Sequence, residues 1–274
     1  MSKIETITPN WPLKKVKALA TTRFGGVSHT DYFSLNLASH VGDNLNLVNK
    51  NRQLVRDELE LPEDPLWITQ VSGAHVIKIP VDKTLLAEYN YIKDHPEQES
   101  SPEKKEIVKI FSVDAVYTKE VNKVCTILTA DCVPLLLATA DEKEVAAVHA
   151  GWRGLVSGVV ENALSTFSNR DYAQMYAWIG PCIGKESFVV GSDVLMEFAQ
   201  KDRDFLTCFT PYIQEENKWL GDLPKITELI LRKFGVQVKN IYHSEIDTFQ
   251  DSRFYSYRRD RVTGRFASMI WIDE

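Results

Sequence analysis

A thiol, a carboxylate, an imidazole and a guanidinium are concentrated in two strings of this chain. These are Thr129-Ala130-Asp131-Cys132-Val133-Pro134 and Val145-Ala146-Ala147-Val148-His149-Ala150-Gly151-Trp152-Arg153-Gly154. Both interrupt apolar stretches, where polar groups need partners or a task. Cys with His suits two chemistries, metal ligation or a thiol nucleophile beside an imidazole base. Alternation along a strand puts His149 on one face with Val145 and Ala147. The glycines on both sides of Trp152-Arg153 permit a tight strand-to-helix turn, where a new helix N-terminus and Arg153 would attract phosphate or carboxylate. Pro134 is expected to stop strand pairing just beyond Cys132. Three other polar strings stand out, Thr21 to Ser28, Ser34 to Asp43 and Tyr255 to Asp260, and none matches a phosphate-binding P-loop or a dinucleotide fingerprint.

The elements that must position these residues alternate along the whole chain. Strand-like runs fall at Val16 to Thr22, Trp67 to Ile79, Val124 to Thr129, Val145 to Ala150, Met175 to Ile179 and Phe266 to Ile272. Leu155, Val159 and Ala163, with Val156, Val160, Leu164 and Phe167, repeat as one buried helix face. A second helix carries Val194, Leu195 and Phe198 behind a Ser192 or Asp193 cap, and a third runs from Ile226 to Phe234 and ends at Gly235. Asn46 to Leu59 makes a fourth, more polar helix. Residues 93–109 hold almost nothing apolar and are expected to be a mobile surface insertion. With no repeat and no second composition shift, a single α/β or mixed α+β domain over residues 1–274 follows.

Composition removes several function classes. The net charge of −6 gives no reason to expect nucleic acid or an anionic membrane as partner. At 44% hydrophobic and 26% charged the chain can fill a core, which excludes global disorder. The most apolar stretch, Val133 to Ala140, is far too short to span a membrane, and the first residues show no export signal, so a cytoplasmic protein is expected. Cys125, Cys132, Cys182 and Cys208 form no Cys-x-x-Cys pair and read as reduced thiols.

Taken together, the strings TTRFGGVS, SLNLASHVGDN, WITQVSGAHV, TADCVPLLL, AAVHAGWRG, WIGPCIG and FYSYRRDRVTGRFASMIWI resemble the YfiH-type family, labelled polyphenol oxidase or laccase-domain protein and also purine nucleoside phosphorylase. The resemblance implies one domain of α-β-β-α layers, a zinc site and catalysis on purine nucleosides. It places zinc ligands at Cys132, at His149 and at the third residue of Gln70-Val71-Ser72-Gly73, where this chain has Ser72 instead of the family's His. His75, three residues on, would replace that ligand only if Gly73 permits a bulge. Val189 and Asp247 stand where relatives often have Glu and Cys.

The implied activities are purine nucleoside and methylthioadenosine phosphorolysis and adenosine deamination. Zinc with an open position would supply a hydroxide for deamination, with Asp131 shuttling protons. Phosphorolysis needs phosphate beneath the ribose C1′, with Arg23 as the first clamp before Arg153 and Arg258. Asn36 and His40 are expected to line the same pocket. A neutral serine hydroxyl is a poor zinc donor, so the metal site is expected to be weak or empty. The six His include no His-x-His pair, which argues against a multicopper laccase and leaves only a single copper in the zinc site as an oxidase route. The remaining alternatives are a Cys132–His149 hydrolase and a nucleoside-binding protein whose metal site has decayed.

Overall fold

The run Val133–Ala138 is buried at every residue, as expected of a strand with neighbours on both sides and covered faces. The computed structural model describes residues 3–95 and 101–274. The first part contains β1 (Thr6–Ile7), β2 (Val16–Thr21), α1 (Leu45–Glu58), β3 (Val76–Lys78) and α2 (Lys83–Asp94). Next come α3 (Pro102–Ile110), β4 (Ala115–Thr118), β5 (Cys125–Thr129), β6 (Val133–Ala138) and β7 (Val145–Ala150). Then follow α4 (Trp152–Ser157), α5 (Val159–Thr166), β8 (Tyr176–Ile179), β9 (Val189–Gly191) and α6 (Ser192–Lys201). The chain closes with β10 (Phe209–Pro211), β11 (Lys218–Gly221), α7 (Leu223–Lys233), β12 (Ile241–His243), α8 (Tyr257–Asp260) and β13 (Phe266–Ile272).

Two sheets stack face to face. One has the order β1-β2-β13-β5 and the other β12-β8-β6-β7-β4-β3, while β10-β11-β9 form a small third sheet. Side-chain alternation assigns each strand face to a layer. Ala18, Ile127 and Ile270 of the first sheet meet Val116, Leu136 and Ala147 of the second in the inter-sheet core. Leu19, Leu128 and Met269 point outward to a layer that includes Val55 of α1. Leu135, Ala146 and Val148 face the other way, against Val160, Leu195 and Ile230 of the helices. The result is the α-β-β-α layering implied by the family resemblance, and each fully buried aliphatic side chain stabilises it by about 1.5–3 kcal/mol.

Several local expectations change. Pro134 does not end pairing. Strand β6 runs through it, with Pro134 opposite His149 on β7, and pairing to β8 begins one residue later at Leu135, so the missing N–H costs little. The helix face from Leu155 to Phe167 is divided into α4 and α5 by Gly158, whose φ of 90° closes the first helix. Helix α6 starts at Ser192 with Gly191 as N-cap, and neither Ser192 nor Asp193 is that cap. Trp67 to Ile79 is strand only over Val76–Lys78, for a reason given below.

The segment 93–109, expected to be a surface insertion, begins in the last turn of α2 and continues in α3, whose N-cap Ser101 accepts a hydrogen bond from the Lys104 amide. Ile107 of α3 packs against the inter-sheet core. Residues 96–100 of this segment lie outside the described residues. Among the described residues no helix is long and apolar enough to cross a membrane.

Candidate functional site

Strand register brings the two chemical strings together. Val133 pairs with Ala150 and Pro134 with His149, so Cys132 sits just beyond the end of β6, beside Gly151 at the end of β7. The Cys132 sulfur and the His149 ring lie close enough for each to act on the other's charge. A Cβ placed on Gly151 would lie 2.9 Å from Cys132 Sγ and 3.7 Å from His149 Nε2, so only glycine leaves this pair in place. His149 shares the inter-sheet face with Val145 and Ala147, as alternation requires.

The other imidazole nitrogen, Nδ1, donates to Asp114 Oδ1 at 2.8 Å. Asp114 is fully buried at the start of β4, and sequence reasoning missed it. Its carboxylate also accepts the backbone amides of Val71 at 3.3 Å, Ser72 at 2.9 Å and Gly73 at 2.7 Å. That wrap turns the Gln70–Gly73 segment away from strand geometry and holds Ser72 at a left-handed φ of 57°. One carboxylate therefore fixes both the histidine ring and the loop carrying Ser72. A signal existed: Ser112-Val113-Asp114-Ala115-Val116-Tyr117 places an acid at the mouth of an apolar run, the same pattern that marked Asp131.

Burial opposes a charge on His149, but the Cys132 sulfur and the Asp114 carboxylate outweigh it and push its pKa up to about 10. Ser72, Asp131, Cys132, Arg153 and Arg258 line a cavity of about 520 Å³ together with Arg261. Four cationic side chains face two carboxylates there, a positive lining on a chain of net charge −6.

Within that cavity Asp131 does not hold a carboxylate free for proton transfer. Its Oδ1 accepts the Thr248 hydroxyl at 2.8 Å and its Oδ2 the Arg258 amide at 2.6 Å, which ties three separate segments together. The Arg258 guanidinium donates to the Val189 carbonyl at 2.7 Å and packs over Phe188. Arg153 lies over its neighbour Trp152 at 4.4 Å, on a helix of only six residues, too short for the anion-attracting N-terminus expected there.

The structure does not bring Arg23, Asn36 or His40 into this lining, and His149, buried, is not among the lining residues either. Arg23 donates through Nε to the Phe33 carbonyl at 2.7 Å and stacks over Tyr255, which turns it to its own loop and that ring. Asn36 is fully buried, donating to Ala38 O and Asp43 and accepting from the Ala38 and Arg265 amides. His40 stands near Arg265, Lys93 and Arg52; desolvation first, then these positive charges, lower its pKa to about 4.

The donor set does not fit a three-ligand zinc site. Cys132 and His149 are strong donors, but the third position presents the Ser72 hydroxyl, and exposed His75 is not in the cavity lining. Among the described residues no three His, Cys, Asp or Glu side chains are arranged to hold a metal ion.

The family described as "Multi-copper polyphenol oxidoreductase laccase" matches residues 17–273. A Haemophilus influenzae relative named purine nucleoside phosphorylase is 39% identical over 98% of this chain and all of its own length. An Escherichia coli K12 relative, named purine nucleoside phosphorylase YfiH, is 37% identical over 99% of this chain and all of its own length. The crystal structure of a Neisseria meningitidis DUF152 protein superimposes with a TM-score of 0.82 at 33% identity, covering all of both chains. One match across the stacked sheets and the cavity beside Cys132, and relatives of equal length, establish that this chain belongs to the laccase-like YfiH family.

Proposed function

We propose that this chain is a purine nucleoside phosphorylase whose reaction takes place in the cavity beside Cys132. The observation that supports this most is the positive lining of that cavity beside the half-buried Cys132, which is backed by the buried His149–Asp114 pair. Relatives matched end to end carry the phosphorylase name, which supports the same reading. In the reaction a phosphate oxygen forms a bond to C1′ of the ribose and the C1′–N9 bond breaks. The bonding pair leaves with the purine, which takes up a proton, and ribose 1-phosphate is the other product. Cationic side chains on the lining hold phosphate against its charge, and burial around His149 keeps water from competing with it.

Adenosine and 5′-methylthioadenosine present the same bond and are the substrates to test. Purified protein with each nucleoside and phosphate should release adenine and the sugar 1-phosphate, with a rate that vanishes when phosphate is withheld. Inosine formed without phosphate would instead mark deamination as the main activity. Absence of both products would overturn the proposal.

A second reading rests on Asp114. The order carboxylate, imidazole, thiol is that of a cysteine hydrolase acting on an amide. Cys132→Ser separates the two: a hydrolase nucleophile would lose turnover almost entirely, whereas phosphorolysis uses no covalent thiol step.

A further inference from the structure

Arg261 lies within the string from Phe254 to Ile272 but is given no role by the family resemblance, and its surroundings are unusual. It lines the same cavity as Cys132 and Ser72 and has a left-handed φ of 62°, a conformation that disfavours any side chain but glycine. Its guanidinium lies 5.8 Å from the centre of the Tyr257 ring. Tyr257, itself on the lining, is half exposed. Neither Arg261 nor Arg153 has an acidic partner among the described residues; their contacts are with the Tyr257 and Trp152 rings.

For a third guanidinium, Arg258, burial first and then the charge of Arg261 disfavour the charged form, while the Asp131 carboxylate favours it. Lys218, also on the lining, is partly offset by Glu215 at 3.7 Å. Guanidiniums on a cavity wall without a carboxylate partner, as Arg153 and Arg261 are, gain most from a bound oxyanion, which a planar fork of donors matches in geometry.

We propose that Arg153 and Arg261 form the anion subsite of this cavity, taking a tetrahedral phosphoryl oxyanion beside the half-exposed Tyr257 ring. The inference deepens the phosphorylase reading and rests on it for the ligand's chemical class. The oxyanion has two sources, free inorganic phosphate or the phosphoryl group of a nucleoside 5′-monophosphate. Arg153 and Arg261 then act on substrate directly, while Arg258, with its side chain on the Val189 carbonyl, holds the wall behind them.

The test is calorimetric binding of inorganic phosphate, AMP and adenosine to the full chain and to Arg153→Ala and Arg261→Gly. Glycine removes the side chain and accepts the positive φ, so Arg261→Gly should melt no lower than the parent. The parent should bind phosphate or AMP, and each variant should weaken that binding by about tenfold or more while adenosine affinity stays unchanged. Phosphate binding that AMP does not displace assigns the site to the free ion; AMP binding that phosphate displaces assigns it to a nucleotide.

Variants that bind both anions as the parent does, or a parent that binds neither, would overturn the subsite. Anion binding lost in the variants of a parent that releases no purine would keep the subsite and remove the phosphorylase reading. Phosphorolysis undiminished in both variants, with an unchanged KM for phosphate, would do the reverse.

Discussion

Asp114 has the widest reach of any single residue in this site. It binds Nδ1 of His149 and three consecutive amides of the Ser72 loop, so removing its charge acts on two features together. Asp114→Asn should cost about 1–3 kcal/mol in denaturant unfolding, because an amide nitrogen replaces one buried acceptor. Part of that cost depends on pH. His149 has a native pKa raised from 6.5 to about 10, so its charged form adds stability that is fully present below pH 6.5 and is lost as pH rises through about 10. The difference between parent and Asp114→Asn should therefore narrow from neutral pH toward pH 10, and a constant difference would show that His149 carries no charge in the native protein. Ser72 gives a second residue-scale prediction. Ser72→His should purify with about one zinc per chain while the parent retains little, as three strong donors require. Tight zinc in the parent would show that the Ser72 position is not the missing ligand.

The elements determine which glycines matter. Gly151→Ala places its Cβ against the movable Cys132 thiol, so unfolding should shift by only about 1 kcal/mol while turnover falls at least about tenfold. Gly26→Ala is the contrast, because its Cβ would lie 2.4 Å from Ser34 O and 2.5 Å from Leu35 Cα, both backbone atoms. That variant should lose about 3 kcal/mol or more, measured by denaturant midpoint. Legibility divides along similar lines. The alternation in Val145–Ala150 announced which face His149 would take, and the apolar period of Ile226 to Phe234 announced α7, because both patterns are local. The turn at Gln70–Gly73 is hidden because its cause is a carboxylate more than forty residues away, while Trp67, Ile68 and Val71 in and before it favour strand. The glycines beside Arg23 suggest a clamp that backbone amides could join; the Phe33 carbonyl on its Nε belongs to a loop geometry no periodicity encodes.

At the scale of the molecule, the stacked sheets have one chain-order peculiarity. Strand β13, at residues 266–272, lies inside its sheet, paired to β2 on one side and to β5 on the other. Phe266, Ile270 and Ile272 fill the inter-sheet core, while Met269 and Trp271 fill the outer layer. Until these seven residues arrive, β2 and β5 have no common neighbour, and both the inter-sheet layer and the packing beneath α1 lack their middle. A ribosome making this chain therefore extrudes most of the residues that line the Cys132 cavity before the fold can close over them. Until β13 emerges, β2 and β5 keep unpaired strand edges exposed, so a segment far along the chain decides whether the early strand is closed into its sheet or left open to pairing with another chain.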